Sequence, residues 1–225
     1  MKKVTFDNPK EFWAKIDWVL LDMDGTLLDK YFDDYFWETL VPQKYAEKYG
    51  LTVQDAKEEL MRFYQREEGT LNWTDLDFWS KKLNLDIPAL KEQISHLIKI
   101  HPYVEDLLNF LHQIGKKTAL VTNAHYKSLD LKLRQTQLDS FFDHVICAFD
   151  VGLPKEDKKF WALLQQKLEF DPQRTLFIDD SEGPLLAAKE AGIKYVIFKS
   201  RPSSKLPSKL PQNNFFRIEY FKELM

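Results

Sequence analysis

Asp22 and Asp24 stand two residues apart in the stretch Asp22-Met23-Asp24-Gly25-Thr26, at the close of a short apolar run. Other polar groups close or follow similar runs further along: Thr122-Asn123, Lys155, and Asp179-Asp180-Ser181. If those runs are buried strands whose ends meet, four segments deliver carboxylates, a lysine, a hydroxyl and an amide to one crevice. Clustered carboxylates raise one another's pKa unless a cation neutralises them. Hard oxygen donors suit Mg²⁺, which keeps waters and shares its shell with a phosphate. Asp22 is then placed for in-line attack on phosphorus, giving an aspartyl-phosphate. Asp24, just past the strand end, can lean back to protonate a leaving alkoxide and later activate water. Lys155 balances the remaining negative charge and holds a phosphoryl oxygen, and Thr122 and Asn123 can donate hydrogen bonds to others. The chemistry open to this set is phosphoryl transfer. Taken singly each residue has a duller reading: Asp180 and Ser181 can cap a helix, and most lysines are solvated. Their order along the chain lifts them above it.

The elements that must position these groups are five short apolar runs, Val19–Asp22, Thr118–Thr122, His144–Ala148, Thr175–Asp179 and Tyr195–Phe198. They are nearly continuous in hydrophobicity, as expected of parallel strands covered on both faces. Helical patterns alternate with them. The clearest spans Pro102 to Ile114, with Val104, Leu107, Leu108 and Leu111 on one stripe and Gly115 after it. This alternation predicts an α/β fold, a doubly wound (Rossmann-like) parallel sheet.

Between the first and second runs lie almost a hundred residues, whereas a parallel crossover needs about a dozen. The surplus, residues 31–100, reads as an inserted all-helical cap domain, leaving 1–30 and 101–225 as a discontinuous core. Val53, Ala56, Leu60 and Phe63 make one apolar stripe, Leu76, Trp79 and Leu83 a second, and Leu90, Ile94 and Leu97 a third. Thr52 with Asp55, and Thr74 with Asp77, have capping-box spacing at two helix starts. Pro202–Pro211 reads as a loose linker before a short terminal helix, with Lys205 and Lys209 on a solvated tail.

The 225 residues are 44% hydrophobic and 30% charged, the composition of a folded soluble protein. A net charge of −3 offers no basic face for nucleic acid. Residues Met1 to Ile16 show no signal-peptide core, and no apolar run approaches the ~18 residues of a membrane span. The one cysteine, Cys147, lies in an apolar run and reads as a buried inert thiol. A cytoplasmic protein is expected.

Asp22, Asp24, Gly25 and Thr26, then Thr122, then Lys155, then Asp179 and Asp180 also match, in order, the four motifs of the haloacid dehalogenase (HAD) superfamily, which the sequence strongly resembles. The resemblance implies a Mg²⁺ site made by the Asp22 carboxylate, the Asp24 backbone carbonyl and the Asp180 carboxylate, with Asp179 nearby. Many members carry another acidic residue four positions after the fourth-motif Asp; here that position is Pro184, and Asp179 is the candidate to compensate. The stretches LLDMDGTLLD, FDDYFWETLVP, TLNWTDLDFWS, LVTNAH, PKED and RTLFIDDSE resemble the bacterial GMP/IMP nucleotidase (purine 5′-nucleotidase) group, over roughly Trp13 to Ile197. That resemblance implies a small-molecule phosphate monoester as partner, a purine nucleotide. Asn72 and Trp73 at a helix start, and His125 after the second motif, are candidates to touch it, against the plainer roles of cap packing and surface histidine. A sugar-phosphate phosphatase or phosphomutase is the alternative on the same scaffold. A dehalogenase is disfavoured by Asp24, and a phospho-acceptor receiver module by the long insertion. A non-catalytic phospho-ligand sensor is disfavoured by the intact acidic pair.

Overall fold

The computed structural model describes residues 9–225; the first residues of the stretch weighed for a signal peptide lie outside the described residues. Six strands form: β1 (Trp18–Leu21), β2 (Lys117–Thr122), β3 (His144–Cys147), β4 (Thr175–Asp179), β5 (Tyr195–Lys199) and β6 (Phe216–Ile218). All neighbours pair in parallel, in the order β3-β2-β1-β4-β5-β6. The helices are α1 (Pro9–Trp13), α2 (Tyr31–Tyr35), α3 (Val41–Tyr49), α4 (Val53–Glu67), α5 (Leu76–Leu83), α6 (Ile87–Gln93), α7 (Val104–Gln113), α8 (Tyr126–Thr136), α9 (Ala148–Val151), α10 (Lys158–Leu168) and α11 (Glu182–Glu190). Among the described residues no helix is long and apolar enough to cross a membrane.

Side chains alternate across each strand. Val19 and Leu21 of β1 join Val104, Leu107, Leu108 and Leu111 of α7 in one buried cluster. Trp18 and Leu20 join Phe160, Trp161 and Leu164 of α10 in another. Because helices cover both faces, the strands read as unbroken apolar runs. From β1 the chain adds strands on one side as far as β3, then returns to place β4 on the other. β1 therefore sits at the switch point, where open α/β sheets leave a ligand crevice beyond the strand ends. Leu21 pairs with Leu120 and Ile178, so one residue further on Asp22 comes level with Val121 and Asp179.

Helices α2 to α6, with a π-helical stretch at Phe36–Leu40, surround a third apolar cluster that includes Phe32, Phe36, Leu60, Trp79 and Ile87, and that Leu131 of α8 joins. The chain enters and leaves this helical region side by side. Asp29 N donates to Lys99 O at 2.8 Å and His101 N to Leu27 O at 2.9 Å.

Four details depart from the sequence reading. Thr52 and Asp55 do exchange hydrogen bonds at the start of α4, but Thr74 does not cap α5. Asp75 does, accepting from Asp77 N and Phe78 N, because a carboxylate one residue nearer the first turn outcompetes a hydroxyl. The third stripe is not one helix: α6 stops at Gln93 and a 3₁₀ turn carries Ser95–Leu97. The segment after β5 is no loose linker. It is the crossover to a sixth strand, tied down where Lys30 N donates to Pro202 O (2.9 Å), Ser204 N to Asp29 Oδ1 (3.0 Å) and Gln212 N to Glu182 Oε1 (2.7 Å). The last element is a 3₁₀ turn, Phe221–Leu224, buried in the first cluster.

Candidate active site

Asp22 is the first residue past β1, held by its N–H on Ile178 O at 3.0 Å. The next turn is tight, with Leu27 N and Leu28 N both donating to Met23 O and Gly25 N to Leu28 O. Gly25 takes a φ of +87°, and a Cβ there would lie 2.6 Å from the Asp180 carboxylate. Position 25 needs glycine on both counts, and its lack of a side chain lets the β4 loop approach the β1 loop.

Asp22, Asp179 and Asp180 are all buried, and one carboxylate oxygen from each lies within 4.8 Å of the others. Lys155, 2% exposed, reaches Asp22 Oδ1 at 2.5 Å, Asp179 Oδ2 at 2.7 Å and the Val121 carbonyl at 3.2 Å. Burial pushes the Asp22 carboxyl up, against the pull of Lys155, and pushes Asp179 well up for the same reason. The Asp22 and Asp179 carboxylates hold Lys155 above its usual range despite its burial. Lys30 approaches Asp180 Oδ2 only to 3.5 Å, and that oxygen is buried with no hydrogen-bond partner. Three carboxylates against two ammonium groups leave an excess negative charge around an unsatisfied oxygen, which fits a hard divalent cation at this point. Pro184 lines the cavity, and Asp179 is committed to Lys155 and to Ser181 N, at 2.8 Å.

Thr122, at the end of β2, accepts from Ala124 N through Oγ1 at 3.0 Å, which leaves its hydroxyl proton free to donate. Asn123 lines the cavity with its amide partly engaged: Oδ1 accepts from Lys155 N at 2.9 Å and one Nδ2 N–H donates to Glu156 Oε2 at 2.8 Å, which leaves the second N–H as a donor. Its side chain fixes the Lys155 loop. Asp24 lines the same cavity with a quarter of its side chain exposed, and its Oδ1 accepts from Lys132 Nζ at 2.6 Å. Burial, partly offset by Lys132, pushes Asp24 up to about 6. Lys132 also reaches Asp33 Oδ2, and Lys91 reaches Asp33 Oδ1, each at 2.6 Å. Burial alone would raise Asp33, but the two ammonium groups hold it well below the usual carboxylate range.

Above these groups the cavity, about 500 Å³, is walled by Trp37, Tyr64, Trp73 and Trp79 from the helical region. Tyr64 meets Trp37, Trp73 and Trp79 edge to face at 5.7, 6.1 and 5.1 Å. Its hydroxyl is buried without a partner. Trp73 is 42% exposed. Asn72 falls outside the wall, donating to Glu67 Oε2 at 2.9 Å. His125 is no surface histidine: it is 3% exposed, lines the cavity, caps α8 and faces Asp75 Oδ1 at 3.4 Å across the seam with the helical region. Beside it Thr74 donates to Asn123 O at 2.6 Å. From the C-terminal crossover, Pro202, Leu206 and Lys209 also line the cavity, with Lys209 exposed at its edge, as expected of a solvated lysine.

The sequence reading missed Lys132, Asp33, Lys91, Tyr64 and Lys209. Lys132 lies 108 residues from Asp24 and 99 from Asp33, and no local spacing signals such pairs. The one available hint was apolar context: Lys91 and Lys132 interrupt otherwise buried helix faces.

Residues 16–192 match the haloacid dehalogenase-like hydrolase family. The chain is 41% identical over 202 residues to the GMP/IMP nucleotidase YrfG of Escherichia coli, covering 90% of this chain and 91% of that one. It is 28% identical over 185 residues to a phosphorylated carbohydrates phosphatase of Thermotoga maritima, covering 79% and 82%. Among solved structures, a HAD phosphatase from Thermococcus onnurineus superposes with a TM-score of 0.77 at 26% identity, over 93% of this chain and 96% of that one.

Proposed function

This chain belongs to the haloacid dehalogenase-like hydrolase family and is a phosphoric monoester hydrolase, and on that premise we propose that it is a Mg²⁺-dependent purine 5′-nucleotidase acting on GMP and IMP. The observation that carries the reading is the meeting, in one cavity, of the Asp22–Asp24–Asp180 set with a wall of four aromatic rings. A purine needs a flat apolar surface and a few edge hydrogen bonds, and the unsatisfied Tyr64 hydroxyl offers one of them. The 41% identity to a GMP/IMP nucleotidase supports the same substrate class.

In this reading residues 1–30 and 101–225 form the core and residues 31–100 a cap over the leaving group. The Asp22 carboxylate attacks phosphorus in line, and the P–O bond to the ribose oxygen breaks as that oxygen takes a proton from Asp24. The nucleoside departs, leaving an aspartyl-phosphate. Asp24, now a carboxylate, takes a proton from water, whose oxygen attacks phosphorus and frees Asp22. Thr122 donates its hydroxyl proton to a phosphoryl oxygen. Lys155 neutralises charge beside Asp22, and Asn123 holds the Lys155 backbone in place. The Asp22 and Asp180 carboxylates and the Asp24 carbonyl would hold Mg²⁺, with Asp179 behind them. When bound, the ion offsets the negative charge of the phosphoryl group and the carboxylates together.

Purified protein assayed with Mg²⁺ against a panel of phosphate monoesters tests this. The highest kcat/KM is expected for GMP and IMP. A clear preference for a sugar phosphate would overturn the purine assignment, and a flat profile would remove the cap from specificity.

A further inference from the structure

We propose that Lys132 is a positioning residue for Asp24, and that it acts through a chain of ion pairs whose far end lies in the helical region. The inference rests on reading Asp24 as the proton donor. Lys132 is 1% exposed on α8 and Lys91 is 2% exposed on α6. Between them the order is Asp24, Lys132, Asp33, Lys91, with every contact at 2.6 Å. With Asp24 ionised, two carboxylates alternate with two ammonium groups and the chain is neutral, as such burial demands. The Phe32 ring lies 5.3 Å from the Lys132 ammonium and 4.8 Å from that of Lys91, and keeps water away from both.

The chain has a consequence at the reacting atoms. Asp24 Oδ1 accepts a hydrogen bond from Lys132, while Oδ2 makes no hydrogen bond to any described residue although Asp24 lines the cavity. An acid proton on Asp24 therefore sits on Oδ2, and the carboxyl group cannot spin to exchange the two oxygens without breaking the Lys132 contact. In the first step the Oδ2–H bond breaks, the proton passes to the ester oxygen as its P–O bond breaks, and the negative charge appears on a carboxylate already paired with Lys132. Asp33 and Lys91 belong to the inserted helices, whereas Asp24 and Lys132 belong to the core. The geometry of the acid is thus tied to the placement of the helical region over the site. The competing account is purely structural: the chain only joins the helical region to the core, and its loss affects every substrate alike.

Leaving-group dependence separates the two. GMP, or whichever alkyl monoester the panel finds best, requires a proton on its alkoxide; 4-nitrophenyl phosphate does not. Lys132→Met is expected to lose about 10²-fold in kcat on the alkyl ester with KM little changed, and about tenfold less on the aryl ester. In an Asp24→Asn background Lys132→Met should cost the alkyl ester nothing further. Asp33→Asn, which cuts the link to α6 but keeps Lys132, should show the same selectivity with a smaller loss, and it decides the matter if Lys132→Met does not fold. Equal losses on both esters, or losses that multiply with Asp24→Asn, would overturn the proposal. Equal losses for Asp24→Asn itself would instead remove the acid role of Asp24, a separate and recognisable failure.

Discussion

Asp22, Asp179 and Asp180 lie close enough to share one cation, but their partners differ, and so should their variants. Asp22 carries the chemistry in the proposed mechanism, and burial already disfavours its charge. Asp22→Asn should abolish turnover and leave the melting temperature equal or higher in the absence of metal, because one of three mutually repelling carboxylates is gone. Substantial phosphatase activity in that variant would end its role as nucleophile. Asp180 has an unsatisfied buried oxygen, while Asp179 is held by Lys155 and Ser181. Titrating activity with Mg²⁺ should therefore show a far larger rise in the half-saturating concentration for Asp180→Asn than for Asp179→Asn. The opposite order would exchange their assignments. That these residues meet in one cavity was legible in the sequence, because an acidic pair, Thr, Lys and another acidic pair follow buried strands in a fixed order. Asn123 shows where residue type stops being informative. An amide can donate to phosphate, but only the folded chain shows that Asn123 also spends its oxygen on Lys155 N and one of its two N–H groups on Glu156.

At the scale of elements, five strands were legible to within about two residues because each is an unbroken apolar run, the pattern that burial on both faces imposes. β6 was not. It has three residues, pairs on one side only, and leaves Phe216 half exposed, so it carries no run to recognise. Its crossover was misread for a related reason: proline, serine and lysine are loop residues, and nothing local says that a loop is pinned. One of the pins titrates. His101 is 7% exposed, with Nε2 3.1 Å from Pro202 O, and burial pulls its imidazole from 6.5 down to about 4. Between those values the unfolded chain binds a proton that the folded protein refuses, so stability rises with pH across the window. The contribution is fully present above 6.5 and is lost as the pH falls toward 4, by roughly 3 kcal/mol. His101→Gln keeps a donor for Pro202 O without a titrating ring. Its melting temperature should fall less than that of the unaltered protein between pH 7 and pH 4.5. Equal slopes would mean that His101 does not set this part of the acid sensitivity.

For the molecule as a whole, the proposed mechanism has Asp22, Thr122, Lys155 and Asp180 address only the phosphoryl group, so these residues alone would treat phosphate monoesters alike. On that proposal discrimination would fall to the helical region that walls the cavity. Its wall divides into rings that hold the region together and rings that are free to meet a ligand. Trp79 is 1% exposed at the centre of the third apolar cluster, and its Nε1 donates to the Trp73 backbone at 3.0 Å. Trp73 keeps 42% of its surface exposed, and its side chain makes one edge-to-face contact, with Tyr64. Trp79→Ala should cost about 3–5 kcal/mol of stability, as large aromatic truncations in cores do, and lower activity on every substrate by unfolding. Trp73→Ala should leave the melting temperature nearly unchanged. By analogy with bases stacked on aromatic side chains, worth about 1–3 kcal/mol each, it should raise KM for GMP several-fold or more while sparing 4-nitrophenyl phosphate, whose small ring needs no such platform. Melting curves beside kinetics on both substrates distinguish the outcomes. Loss of stability with parallel loss on both substrates would make Trp73 a packing residue. Unchanged kinetics on both would leave the purine face to Trp37 or Tyr64, the other two rings of the wall.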